Sequence, residues 1–202
     1  LSFVVRREEA KYPKLLEIVQ KLKGSGIVYV RNRNKTKDIA EYLMQHNIKA
    51  DFYHAGLKTN ERSIKQDNWL KNKTQVIVCT NAFGMGIDKS DVRFVIHMDV
   101  PESLEAYYQE AGRAGRDGGE GHCLAFYDPK DIEKLEKFLA QKPVSEREIG
   151  LQLLNEVVGY AETSMSRRQY ILYYFGESFD PINGDGAKMC DNSSNPPKLK
   201  DA

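Results

Sequence analysis

Short runs of apolar residues, rich in β-branched and aromatic side chains, recur along the first two thirds of the chain. Five runs lie at Ile27–Val30, Ala50–Tyr53, Val76–Cys79, Phe94–Met98 and His122–Tyr127. An earlier run, Phe3–Val5, predicts an additional edge strand. Stretches of helical composition, such as Lys35–His46 and Asn60–Lys71, separate the first four runs. Short buried strands joined by helix-length connections predict an α/β fold, in which helices cover both faces of a parallel sheet.

Helical spacing of apolar residues predicts the covering helices. In Leu15–Leu22 the apolar positions follow an i, i+3, i+4, i+7 pattern. Beyond the sheet region the composition changes, and two more helical patterns follow at Ser145–Glu162 and Ser166–Phe175. A tail rich in Gly, Asn, Ser and Pro comes last. We therefore predict an α/β lobe over residues 1–141 and a small, mostly helical subdomain over residues 142–202.

The composition narrows the class of protein. Of the 202 residues 29% are charged and 41% hydrophobic, which excludes a disordered chain and a membrane protein. Three cysteines are too few for a disulfide framework, so we expect a reducing, cytoplasmic compartment. The chain begins with Leu1 rather than Met, which we interpret as a piece of a longer protein. The net charge is only +1, so nucleic-acid binding would need a local basic surface, and Arg6–Lys37 has seven more basic than acidic residues.

The loops that follow the predicted strands hold the candidate binding residues. Ligands of open parallel sheets bind beyond the carboxyl ends of the strands, where this chain has Arg31–Arg33, His54–Gly56 and Thr80–Asp88. Hydroxyl, amide, guanidinium and glycine groups suit phosphates or sugars. A single polar loop would be an ordinary turn, but three together favour a ligand. The sequence has no P-loop and no acidic pair for Mg²⁺, and Lys89 replaces the third glycine of a dinucleotide fingerprint.

The segment Tyr107–Gly118 combines two arginines with two glycines at the same spacing of three. On a helix Arg113 and Arg116 would share a face, and Gly112 and Gly115 would let both side chains reach one polyanion. The simpler alternative is a helix end with ordinary glycine stops and arginines that complement the dipole. We favour the anion site because that alternative does not explain the repeated Gly-Arg pairs.

Several of these segments together resemble one helicase family. The runs IVYVRNRNKT, DFYHAGL, VIVCTNAFGMGIDKSDVRFVIH and YYQEAGRAGRDG resemble second-lobe motifs of RecQ-family DNA helicases, within helicase superfamily two. GYAETSMSRRQYILYYFGE resembles the start of that family's zinc-binding subdomain, so the resemblance covers essentially the whole chain. It implies a RecA-like lobe of an ATP-dependent 3′–5′ helicase that acts on single-stranded DNA and duplex junctions in recombination and repair. ATP and Mg²⁺ would be held mainly by a partner, the first RecA-like lobe.

The resemblance also assigns roles to residues. Arg113 and Arg116 match the last helicase motif, with Arg116 as the arginine finger, and Gln109 opens that motif near the cleft between lobes. Asp88 is expected to contact or sense nucleotide, together with the backbone at Gly84 and Gly86. The residues expected to hold the phosphate backbone of DNA are Asn32, Arg33, His54, Thr80 and Asn81.

The family's zinc site, by contrast, has no full counterpart in this sequence. The four ligand positions correspond to Ser166, Ala187, Cys190 and Ser193, of which only one is a cysteine. One thiolate with two hydroxyls and a methyl group cannot supply four zinc donors, so we predict no zinc, with Asp185 or Asp191 as the alternative replacement ligand. We expect apolar packing to hold the subdomain instead, through Leu153, Leu154, Val157, Tyr170, Ile171, Tyr173, Tyr174 and Phe175. The alternative to this apolar packing is a DNA-binding face formed by Arg167, Arg168 and these tyrosines. The other two cysteines, Cys79 and Cys123, are expected to lie in the core as apolar residues.

Two other functions remain open at this stage. A DEAD-box RNA helicase would share the fold, but the Gln109-Glu110-Ala111 sequence and the second subdomain argue against it. A stand-alone nucleic-acid-binding or regulatory module derived from a helicase lobe would need no P-loop. In either case we expect this chain alone to hydrolyse no ATP, because it has no P-loop.

Overall fold

The computed structural model describes residues 1–84 and 86–194. Six strands form one sheet: β1 (Ser2–Arg7), β2 (Ser25–Tyr29), β3 (Ala50–Tyr53), β4 (Val76–Cys79), β5 (Val92–His97) and β6 (His122–Tyr127). Their order across the sheet is β1-β6-β5-β2-β4-β3, and every neighbouring pair is parallel. The predicted parallel α/β sheet is therefore confirmed, including the edge strand at the start of the chain.

Helices occupy the connections and the end of the described chain. They are α1 (Lys11–Lys21), α2 (Arg33–Gln45), α3 (Thr59–Leu70), α4 (Leu104–Ala111), α5 (Pro129–Leu139), α6 (Val144–Glu162), α7 (Arg167–Tyr174) and α8 (Asp191–Ser194). The patterns that predicted α2, α3, α6 and α7 agree with these bounds to within two residues. Helix α5 has no counterpart among the predicted helices, although Asp128 caps it and Pro129 opens it in the usual way.

The sheet separates two hydrophobic cores because side chains alternate along each strand. Along β2, Val28 faces the core under α1 and α2, whereas Ile27 faces a larger core that also contains Trp69 from α3. Leu154 and Val157 from α6 belong to this second core. Helix α6 therefore packs onto the lobe rather than around a core of its own, and the predicted boundary near residue 141 falls in the turn before it.

The apolar packing predicted for the small subdomain is only partly correct. Leu154, Val157 and Ile171 are buried as expected. Tyr173 and Phe175 are instead exposed, because they lie on the solvent side of α7 and at its end. The three cysteines, Cys79, Cys123 and Cys190, are all buried and unpaired by disulfides.

The two arginines of the Gly-Arg repeat do not lie on a helix, so the predicted shared helical face is wrong. Helix α4 ends at Ala111, and a turn follows in which Gly115 has a left-handed φ of +63°. A Cβ atom on Gly115 would also lie 2.7 Å from the Gly119 carbonyl oxygen. The Gly115 amide donates to the carbonyl of Val92, the first residue of β5, and holds the turn there. We call residues 112–118 the arginine turn.

Candidate functional site

Three neighbouring strands bring the predicted DNA-contacting residues to one edge of the sheet. Strands β2, β4 and β3 lie side by side, and their carboxyl ends lead directly into Asn32, Arg33, Thr80, Asn81 and His54. Because the three strands are parallel, these loops lie together at the same edge. We call the five residues the strand-end group.

Local backbone chemistry fixes the first part of this group. Asn32 caps α2 by accepting a hydrogen bond from the Asn34 amide at 2.8 Å, which starts the helix at Arg33. His54 Nδ1 accepts from the Gly56 amide at 3.1 Å. A Cβ atom at Gly56 would lie 3.0 Å from Arg33 Nη1 and 3.2 Å from His54 Nδ1. The absence of a Cβ atom at Gly56 therefore lets the Arg33 and His54 side chains pack together against its backbone.

The surroundings of His54 disfavour the protonated form of its imidazole. Its pKa is lowered first by burial, which disfavours the charged ring, and second by the nearby Arg33 guanidinium. The Glu61 carboxylate raises the pKa of His54, and the Lys65 ammonium lowers it further. An incoming anion would reverse this balance, because it would favour the protonated ring.

The other half of the group borders a cleft of about 200 Å³. Thr80 is buried where its amide donates to the Tyr53 carbonyl, and Asn81 beside it is exposed. Both line the cleft, together with residues from the carboxyl ends of β2 and β5. The cleft thus lies at the point where the strand order reverses about β2, the usual place for a ligand in such a sheet.

A buried histidine in the wall of this cleft was not among the predicted site residues. His97 is 2% exposed, stacks on Tyr29 and pairs through Nε2 with Glu110 Oε2 at 2.7 Å. Its Nδ1 has no hydrogen-bond partner within the residues that the structure describes. The available signal was a histidine at the end of an otherwise apolar strand. The backbone carbonyl of Glu110 accepts from the Arg113 amide, so the pair links the cleft to the arginine turn.

Arg113 is fixed against the loop that follows β4. Its Nη1 donates to the Gly84 carbonyl at 2.7 Å, and the side chain is half-buried. Gly84 has a φ of +119°, and a Cβ atom there would lie 2.4 Å from Arg113 Cζ. The glycine that allows an arginine to approach is therefore Gly84, not Gly112 or Gly115.

Arg116 faces solvent beside Asp88. Its Nε donates to the Gly112 carbonyl at 3.2 Å, and its Nη1 lies 3.8 Å from Asp88 Oδ1. The Asp88 side chain is 90% exposed, so this long ion pair is weak and leaves the guanidinium accessible to an anion. Gln109 is exposed on α4, and a Cβ atom at Gly86 would meet nothing within 4 Å.

The structure divides the predicted residues into two groups rather than placing all of them at the strand ends. The arginine turn packs against the start of β5, since the Asp117 amide donates to the Ser90 carbonyl next to that strand. Loop 80–91 begins with Thr80 and Asn81 at one edge of the sheet and carries Gly84 and Asp88 towards the turn. This one loop therefore joins the strand-end group to the arginine turn.

Comparison with known proteins gives the class of this lobe. Residues 10–118 match the helicase conserved C-terminal domain. The Escherichia coli DEAD-box protein SrmB, in complex with regulator of ribonuclease activity A, has the same fold with a TM-score of 0.60 at 23% identity, over 70% of this chain and 85% of that one. A DEAD-box protein from Methanococcus jannaschii has the same fold with a TM-score of 0.58 at 24% identity, over 69% of this chain and 38% of that one. The α/β part is a helicase C-terminal, RecA-like lobe.

The second matching segment and the sequence relatives give the family. Residues 129–194 match the RecQ zinc-binding family. The chain is 44% identical over 178 residues to the ATP-dependent DNA helicase RecQ of Pasteurella multocida, covering 88% of this chain and 28% of that protein. It is 40% identical over 195 residues to the Bacillus subtilis protein of the same name, covering 95% of this chain and 32% of that protein. The chain belongs to the RecQ family, and it spans less than a third of the length of these relatives.

The residues at the zinc-ligand positions do not fit a zinc ion. Cys190 is the one thiol among Ser166, Ala187, Cys190 and Ser193, and neutral hydroxyl and methyl groups are not zinc donors in structural sites. Within residues 1–84 and 86–194 no group of three or more His, Cys, Asp or Glu side chains is placed to hold a metal.

In the same part of the chain no helix combines the length and hydropathy needed to cross a membrane.

Proposed function

We propose that this chain is the second RecA-like lobe and attached subdomain of an ATP-dependent 3′–5′ DNA helicase of RecQ type, active in recombination and repair. The observation that carries the proposal is the arginine turn: Arg113 is anchored on Gly84, whereas Arg116 is exposed next to Asp88. An anchored and an accessible guanidinium at the end of one loop suit the binding of a phosphate chain presented by another lobe. The names of the RecQ relatives support the same activity.

The nucleotide would be held mainly by the first lobe, because this sequence has no P-loop and no acidic pair for Mg²⁺. ATP with Mg²⁺ supplies the phosphoryl group that water attacks. In this chain Arg116 exchanges its weak contact with Asp88 for the γ-phosphate and stabilises the charge that develops there. Arg113 orients the turn from Gly84, and Gln109 and the Gly86 backbone face the same cleft between lobes.

DNA would lie along the strand-end group. Arg33, His54 and Asn81 offer a cation, a titratable ring and an amide to successive phosphates, while Asn32 and Thr80 shape the loop backbone. Contacts to phosphate carry no base information, which suits a motor that moves along any sequence. A protein with this role works at the nucleoid, on single strands and duplex junctions.

Loop 80–91 would couple the two events. It starts at the DNA edge with Thr80 and ends beside the arginine turn, so a movement of the turn as the lobes close is transmitted to the DNA contacts. The buried His97–Glu110 pair provides a second connection between the same two places. In this scheme residues 1–141 form the lobe and residues 142–202 the subdomain that steadies it.

Replacing Arg116 by alanine in the full-length helicase tests the proposal. We expect DNA-stimulated ATP hydrolysis to fall by roughly 10³-fold, because an arginine finger contributes about 10³–10⁵ in rate. Affinity for single-stranded DNA should stay within about threefold, since the strand-end group is intact. Arg7→Ala, at an exposed arginine that ends β1, is the matched control. An Arg116→Ala enzyme with unimpaired hydrolysis would refute the assignment, and stimulation by RNA but not DNA would refute the RecQ-type activity.

A further inference from the structure

Lys89 is a buried lysine in the loop that follows β4, and the roles proposed for this loop do not use it. It is 8% exposed, and its Nζ donates to Asn72 Oδ1 at 2.9 Å and to the Leu70 carbonyl at 3.4 Å. The same ammonium pairs with Asp91 Oδ1 at 2.9 Å and lies 5.5 Å from the centre of the Trp69 ring. A buried ammonium is stable only where such partners replace water, so this side chain is held in one place.

The partners of Lys89 outside its own loop belong to the carboxyl end of α3. Leu70 is the last residue of this helix, and its carbonyl is among those that the helix itself cannot satisfy. Asn72 has a left-handed φ of +57°, a conformation that asparagine adopts readily, and its amide donates to the Trp69 carbonyl at 3.1 Å. A cation at this end also suits the helix dipole. Lys89 therefore joins the loop to the end of α3.

The opposite end of α3 begins beside the strand-end group. Thr59 starts the helix five residues after His54, within one short turn. With 12 residues and a rise of about 1.5 Å for each, α3 is about 18 Å long. One rigid helix thus connects the turn at His54 with Lys89. The residue before Lys89 is Asp88, whose carboxylate lies 3.8 Å from Arg116 Nη1.

We propose that Lys89 is a positioning residue that couples DNA binding to ATP hydrolysis, an inference that rests on the function proposed above. When Arg116 leaves Asp88 for a phosphate, the loop shifts at Asp88. Without an anchor the loop would absorb this shift, whereas the Lys89 ammonium passes it to α3 and so to the turn at His54. Lys89 touches neither nucleotide nor DNA in this scheme, and it acts by holding the loop against the helix.

The surroundings of Lys89 predict that Lys89→Met still folds. Methionine keeps an unbranched apolar stem next to Trp69. The partners left behind can reach water, because Asn72 is exposed and the Asp91 side chain is 49% exposed. The substitution therefore removes the anchor without leaving a buried charge unpaired, which is what makes the loss of one partner from a fully buried ion pair so destabilising.

DNA-stimulated hydrolysis by the full-length helicase tests the proposal. We expect Lys89→Met to lower the stimulation, which is the ATPase rate with single-stranded DNA divided by the rate without it, by about 3- to 30-fold. The KM for ATP should change by less than about threefold, because Lys89 does not touch the nucleotide. Lys71→Met, at an exposed lysine directly after the same helix, is the matched control and should leave the stimulation unchanged. Wild-type stimulation in Lys89→Met, or a rate reduced equally with and without DNA, would overturn the proposal.

A second variant removes the partner instead of the lysine, and so keeps the test informative if Lys89→Met does not fold. Asn72→Gly deletes the side-chain amide to which Lys89 donates, and glycine keeps the left-handed backbone. We expect the stimulation to fall by about two- to threefold, with no further loss when this change is combined with Lys89→Met. Asn47→Gly, at another left-handed asparagine with a φ of +63°, is the control and should have no effect. Full stimulation in Asn72→Gly, or losses that add in the double variant, would contradict the role of Lys89.

The wild-type enzyme separates this proposal from the function on which it rests. A wild-type ATPase that DNA does not stimulate would contradict the RecQ-type activity, and the role of Lys89 with it. A stimulated wild type, with Lys89→Met and Asn72→Gly variants that are stimulated equally, would leave the activity standing and reject the role of Lys89 alone.

Discussion

The pKa of His54, in the strand-end group, depends both on how the ring is packed and on a neighbouring charge. Its ring accepts a hydrogen bond from Gly56 and lies beside Arg33, and its pKa is below the usual value for histidine because of burial and then that charge. A DNA phosphate next to the ring would raise the pKa by favouring the imidazolium. Binding would therefore take up a proton at pH values between the lowered pKa of the free protein and the raised pKa of the complex.

This proton uptake predicts that affinity for single-stranded DNA increases as the pH falls from about 8 to 6. The largest slope that one group gives is about tenfold in Kd per pH unit. Measurement of Kd by fluorescence anisotropy across this range checks the prediction. His54→Asn should flatten the dependence, whereas His46→Asn, at an exposed ring just after α2, should not. An unchanged slope in the His54→Asn protein would contradict a phosphate contact at this ring.

At the level of elements, loop 80–91 is the connection on which the proposed mechanism depends. It leaves β4 at the strand-end group, accepts a hydrogen bond from Arg113 at the Gly84 carbonyl and leads to the start of β5 next to the arginine turn. The contact at Gly84 needs both a left-handed backbone and the absence of a Cβ atom. The position of Arg113 therefore depends on a residue 29 positions earlier in the chain.

Gly84→Ala should displace Arg113 and slow ATP hydrolysis by the full-length helicase at least tenfold, because the added Cβ would overlap the guanidinium. The matched control is Gly176→Ala, since Gly176 also has a left-handed φ, +79°, but a Cβ atom there would meet nothing within 4 Å. Both changes introduce backbone strain of roughly 1–3 kcal/mol. Equal loss of activity in the two variants would mean that strain, rather than displacement of Arg113, is responsible.

Local sequence patterns predicted most elements but not the arrangement of the site. The buried strands and helices α1, α2, α3, α6 and α7 follow from the spacing of apolar residues along the chain. The rule that loops after parallel strands lie at one edge of the sheet correctly predicted that the five residues of the strand-end group lie together. The arginine turn was misread because a glycine spacing of three fits a helix as well as a turn, and the left-handed φ of Gly115 depends on its contact with β5. The His97–Glu110 and Arg167–Asp191 pairs join residues whose proximity only the folded chain creates. The roles of the site residues remain predictions.

At the scale of the whole molecule, the lobe and the small subdomain share one hydrophobic core. Leu154 and Tyr160 from α6 pack in the cluster that contains Trp69 and Tyr107, and the two tyrosine hydroxyls are 3.3 Å apart. Trp69 is the only tryptophan in the chain and is 1% exposed. Trp69 fluorescence therefore reports unfolding of the lobe, whereas a substitution in α6 is a change in the subdomain.

Leu154→Ala should lower the free energy of unfolding by about 2–5 kcal/mol, since it leaves a cavity in the shared core. Urea unfolding followed by Trp69 fluorescence and by far-UV circular dichroism should show one shifted transition with both probes. Ile149→Ala, at a residue of α6 that is 62% exposed, should change stability by less than about 0.5 kcal/mol. A fluorescence transition that does not move in Leu154→Ala would mean that the two parts unfold independently.

The pairing of β1 with β6 has a consequence for synthesis on the ribosome. The register joins Ser2 to His122, so about 120 residues must be made before the first strand meets its partner. At roughly 5–20 residues per second this delay is about 6–24 s. During that interval the apolar Phe3, Val4 and Val5 remain available to chaperones and to other nascent chains. Within this sheet, the first strand along the chain thus waits for the last one before it can pair.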